Sequence, residues 1–134
     1  MVTLPTWMRG ALFATAAMNV VGGIAFLPPA HALRAIGGMP DGGHPLYPTA
    51  LGALVLVFAV AYLWLAMTGR ADRLFIAVAT AGKLSFFASL AWFWAVGALP
   101  LRAPLAGIGD LVFGVMFSVW LYGGTGAGAE PAGF

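Results

Sequence analysis

The chain has 134 residues, of which 62% are apolar and 7% charged, whereas soluble domains carry about 45–50% apolar and about 25% charged residues. Six Lys and Arg with four Asp and Glu cannot cover a water-exposed surface, which runs about 25–35% charged. The composition therefore excludes an ordinary water-soluble globule and makes lipid the solvent of most of the chain. The net charge of +2 comes from scattered residues with no basic stripe, which excludes nucleic acid as a partner. With no Cys, the chain has no disulfide, thiolate nucleophile, Cys-ligated zinc or iron–sulfur centre.

A helix needs about 20 mostly apolar residues to cross the roughly 30 Å hydrocarbon layer. Residues 7–27, 47–67, 74–97 and 104–122 meet that requirement. A membrane barrel would need strands of alternating polarity, and these runs are continuously apolar. Pro28-Pro29, Gly69, Pro100 and Gly123-Gly124 punctuate the ends of the spans. Trp7, Tyr47, Trp92, Trp94, Trp120 and Tyr122 lie near those ends, where amphipathic rings favour the headgroup level. The expected fold is all-α, an up-down bundle of four transmembrane helices forming a single membrane domain over 1–134.

Between spans one and two, Pro29 can open and Gly37 close a short interfacial helix, with Leu33 and Ile36 on one side and His31 and Arg34 on another. A turn-rich stretch, Pro40-Asp41-Gly42-Gly43, follows. The Gly- and Ala-rich tail at 123–134 is expected to lack structure of its own. Arg9, an apolar run and Ala30-His31-Ala32 formally match a signal-peptide pattern. The run exceeds the roughly 7–15 residues of a signal core, so it is read as a retained span. Arg9, Arg70 and Arg73 fall on one side and Arg34 and Arg102 on the other, which mildly favours both termini in the cytoplasm.

Asn19, Lys83 and Asp110 are strongly polar residues at membrane depth, where a charge costs a few kcal/mol even on lenient scales. Gly107, Asp110, Gly114 and Ser118 recur at helical spacing, as do Ala11, Thr15, Asn19, Gly22 and Gly23. Strips of small residues face other helices. Asn19 and Asp110 are therefore expected to face the interior at similar depth, close enough for a direct hydrogen bond. Lys83 has three open readings: a fixed ion pair with Asp110, a coupled proton or ligand site, or snorkelling alone.

Phe86, Phe87 and Trp92 in span three are candidates to line a ligand pocket, although such rings also pack bundles or face lipid. His31, Asp41 and His44 lack a metal-ligand spacing, and no His lies within a span to ligate haem or chlorophyll. No metal and no cofactor is expected.

Phe26-Leu27-Pro28-Pro29, the amphipathic segment after it, a Pro-containing start to span two, Gly82-Lys83 followed by Phe86-Phe87, and Gly109-Asp110 give the chain a family likeness. In that order it resembles small bacterial four-helix membrane proteins of the DoxX-like kind. The resemblance implies a protein of the bacterial cytoplasmic (inner) membrane, in some members a subunit tied to quinone-linked oxidation. It marks Lys83 and Asp110 as the positions to carry over.

The residues favour a non-enzymatic accessory or assembly subunit of a membrane complex, packed against another membrane protein or a second copy. The alternative is a small transporter, or a binding protein for a hydrophobic ligand such as a quinone or lipid, that uses Asn19, Lys83 and Asp110. An enzyme is disfavoured, because no acid, base and nucleophile converge at one depth.

Overall fold

The structure is a computed structural model of the chain, described for residues 3–40 and 43–123. Its elements are α1 (Thr6–Ala25), a 3-10 turn (Pro28–Ala30), α2 (His31–Ile36), α3 (Leu46–Thr68), α4 (Arg73–Ala95), α5 (Arg102–Ala106) and α6 (Ile108–Gly123). Among the described residues no strand forms; Thr3 and Arg70 make one isolated antiparallel bridge.

The helices start and stop for local reasons. Leu27 is held extended ahead of Pro28-Pro29, which separates α1 from α2. Gly69 ends α3 in the left-handed region, with φ 67, and its N–H donates to Leu65 O. Asp72 then caps α4, its Oδ1 accepting from Phe75 N at 3.0 Å. Because the link between α3 and α4 is so short, the two helices run antiparallel.

α1, α3 and α4 are long and apolar enough to cross a membrane. The fourth expected span is different. α6 has 16 residues, about 24 Å at 1.5 Å per residue, and Gly107 separates it from the 5-residue α5. The 104–122 stretch is therefore a broken helix rather than a continuous rod. Span three also stops early, because its helix ends at Ala95 and Gly97 turns left-handed with φ 82. The Asp41-Gly42 turn and residues 124–134 of the expected tail lie outside the described residues, while Gly123 ends α6.

α1 packs chiefly on α3 and α4 on α6, and α1 also touches α6. The α1–α3 crossing is close enough to require glycine. A Cβ at Gly52 would lie 2.7 Å from the Gly23 carbonyl oxygen, and a Cβ at Gly23 would lie 2.6 Å from Leu56 Cγ. Burial is inverted relative to a soluble protein. Thr15, Asn19, Thr80 and Lys83 are buried, whereas Val57, Val60, Trp64 and Met67 of α3 face outward.

The interior is solid at one end only. Leu4, Met8, Leu12, Tyr62, Ile76, Phe117 and Trp120 join one apolar core, where α1 and α4 begin and α3 and α6 end. Two arginines near that end satisfy carbonyls of a neighbouring helix terminus. Arg9 Nε donates to Ala66 O at 2.9 Å, and Arg73 Nη2 donates to Leu121 O at 2.8 Å.

Gly52→Ala should destabilise the fold by about 1–3 kcal/mol through overpacking. Gly10→Ala, whose Cβ would meet nothing within 4 Å, should gain about 0.5–1 kcal/mol of helix stability. Thermal unfolding in detergent checks both, and the account requires shifts of opposite sign.

Candidate functional site

The three polar residues singled out by depth come together where the solid end stops. Asn19 stands on α1, Lys83 on α4 and Asp110 in the first turn of α6. Helical rise puts Asn19 about 20 Å from the start of α1 and Asp110 about 20 Å from the end of α6. Lys83 lies about 15 Å from the start of α4 by the same measure, and its side chain spans the difference in level.

Lys83 Nζ lies 3.0 Å from Asp110 Oδ1 and donates to Asn19 Oδ1 at 3.4 Å. Asn19 and Asp110 do not bond each other directly, because the ammonium sits between them. The asparagine amide is spent on the backbone instead, with Nδ2 donating to Val55 O of α3 at 3.2 Å. One ammonium thus ties together α1, α4 and α6, and Asn19 extends the tie to α3.

The geometry removes one of the three readings of Lys83. Its side chain is 4% exposed, so it does not snorkel. The rings of Tyr62 and Phe113 flank it, with Nζ 5.2 Å and 5.8 Å from their centroids. The break at Gly107 helps to hold the carboxylate. It places Asp110 in the first turn of α6, where the helix dipole favours a negative charge.

Above this cluster the bundle is hollow. A cavity of about 540 Å³ lies between α1, α2, α3 and α4, within the range of about 300–1,000 Å³ typical of small-ligand pockets. Phe26, Leu54, Val55 and Phe58 supply apolar wall, Asn19, Lys83 and Asp110 lie at its inner end, and Leu33, Arg34 and Ile36 of α2 close the other. Asp110 opens furthest into the space among the paired charges, with its side chain 20% exposed.

Of the aromatic candidates, Phe86 lines the cavity, in edge contact with Phe26 at 6.4 Å between centroids. Phe87 does not line it; it turns toward the α5–α6 break, 3.7 Å from where a Gly107 Cβ would be. Trp92 does not line it either, being 64% exposed on the outer surface near the end of α4. Residues 86, 87 and 92 cannot share a helical face at 100° per residue, so only one of them faces inward here.

Two participants were missed from sequence. Tyr62 stands out in retrospect as a tyrosine at mid-span rather than at a helix end, four residues after Phe58, with which it packs at 6.1 Å. Arg34 donates through Nη1 to Ala25 O at 3.0 Å and Leu27 O at 2.7 Å. It pins α2 over the end of α1, a fold-back that side-chain periodicity does not reveal. Among the described residues no cluster of His, Asp or Glu could hold a metal.

No protein-family model, curated protein or solved structure matches the chain.

Lys83→Met leaves the Asp110 carboxylate without its counter-charge and should cost about 3 kcal/mol of stability. Asp110→Asn should cost less, since that side chain is partly open to the cavity. The double variant should recover part of the loss. Unfolding in detergent measures the cycle, and strictly additive losses would contradict the pair.

Proposed function

We propose that this is a multi-pass membrane protein that binds a small hydrophobic or amphiphilic ligand between its helices. The observation that carries this reading is the unequal interior: a packed core at one end, an apolar-walled cavity of about 540 Å³ at the other, and a buried ion pair at the boundary. A bundle whose helices served only to pack against each other or a partner would have no use for the hollow half. The cavity therefore favours the binding reading over that of an accessory or assembly subunit.

The outward-facing apolar surface supports insertion in lipid, because exposed patches of this extent are foreign to soluble monomers. In this reading α1, α3 and α4 cross the bilayer, and α5 with α6 forms the fourth crossing. Its non-helical break at Gly107 is buried against Leu90 and Phe87, the condition under which irregular backbone is tolerated in lipid. Both termini then share the side of Arg9, Arg70 and Arg73, the cytoplasmic side of an inner membrane by the positive-inside rule. The resemblance to DoxX-like proteins is compatible with this placement and does not name the ligand.

Gly22 supplies the test. It lines the cavity, and a Cβ built there meets nothing within 4 Å, so Gly22→Leu should fill the space without straining the fold. Wild-type protein purified from membranes should retain a small amphiphile detectable by native mass spectrometry. The variant should retain several-fold less with no loss of thermal stability. Equal retention by the two proteins, or none by either, would overturn the reading.

A further inference from the structure

We infer that the ligand is an acidic amphiphile, of the long-chain carboxylate class, with its anionic head at Arg34 and its apolar body along the cavity wall. This rests on the binding reading above and adds the ligand's charge and orientation. Among the described residues three charged side chains line the cavity: Arg34, Lys83 and Asp110. Lys83 and Asp110 neutralise each other at 3.0 Å, which leaves the lining with the net positive charge of Arg34.

The hydrogen bonds of Arg34 do not remove that charge. Both run from Nη1 to the carbonyls of Ala25 and Leu27, which carry dipoles but no net charge. Nε is buried and has no hydrogen-bond partner. With Nη1 committed and Nε enclosed, Nη2 is the arm of the guanidinium left to donate to a carboxylate.

The same accounting fixes the direction of the ligand. A carboxylate beside Lys83 would also face Asp110, and like charges at that distance repel in a medium of low dielectric. At the α2 end Arg34 is the one charged side chain among the described residues of the lining. Leu33 and Ile36 flank Arg34 on the cavity rim, and Phe26, Leu54, Val55 and Phe58 receive the chain.

The test uses the full-length protein in nanodiscs of zwitterionic lipid, with doxyl-labelled stearate and its methyl ester as probes above the acid's titration range. Electron paramagnetic resonance reads the motionally restricted, protein-bound fraction of each against empty nanodiscs. Wild-type protein should bind the carboxylate about tenfold or more tightly than the ester, as expected of a charge-assisted contact. In Arg34→Gln the ratio should fall to within about threefold, with ester affinity unchanged. Arg34→Lys, which keeps the charge, should retain a preference for the acid. Equal binding of acid and ester by wild-type protein would overturn the inference and leave the cavity reading standing; binding of neither would overturn both. A preference that survives Arg34→Gln but disappears in Lys83→Met would place the head at the wrong cation and likewise refute it. The wild-type comparison decides even if a variant fails to fold.

Discussion

The architecture depends on where a single ammonium group can rest. Lys83 is the only lysine in the chain, and it stands near the middle of a helix of 23 residues whose outer surface is apolar. Facing outward from a bundle that crosses a bilayer, as proposed, it would put a charge among acyl chains at a cost of at least a few kcal/mol. Turned inward, it needs an anion and a set of acceptors within reach. Asp110 and Asn19 supply them from two other helices. The mutual orientation of α1, α4 and α6 is thus tied to one electrostatic requirement, and aromatic rings flank the ammonium, so that little competing solvent reaches the lysine.

Packing takes different forms on the two sides of that pair. Toward the α3–α4 turn, large side chains such as Met8, Leu12, Ile76 and Phe117 interlock, and arginines close the helix ends. Toward α2, the residues at the inner faces become small, with Gly22, Ala25 and Gly82 lining open space. The Gly23–Gly52 contact draws α1 and α3 together beside the cavity, so the hollow is bounded by one of the tightest crossings in the molecule. Arg34 anchors α2 over the opening through two backbone carbonyls. A short helix held mainly by one side chain is the kind of low-stability element through which a ligand can enter.

Much of the helical layout is legible in the amino-acid order because long apolar runs bounded by Pro and Gly mark the helices. The ends at Pro28 and Gly69 and the inward strip from Ala11 to Gly23 follow from that pattern. The interruption at Gly107 is not legible in this way. Glycine inside an apolar run marks close packing as readily as a break, and contacts with Leu90 and Phe87 decide between them. The site is legible to the same partial degree. Depth and small-residue spacing bring Asn19 and Asp110 to one level, but the placement of Lys83 between them depends on side-chain reach across helices. Phe87 and Trp92 mislead because aromatic character gives chemistry without direction. The cavity itself comes from how side chains fail to fill space, a property of the assembled helices rather than of any one of them.

The chain's single lysine makes the central claim directly measurable. With 15N at the lysine side chain and 13C at the aspartate side-chain carboxyl, dipolar recoupling by solid-state NMR in lipid bilayers reports the Lys83–Asp110 separation. An N–C distance of about 3–4 Å, as a hydrogen-bonded ion pair requires, is the expected result. Absence of a measurable coupling, with the lysine instead close to lipid phosphorus, would contradict the account.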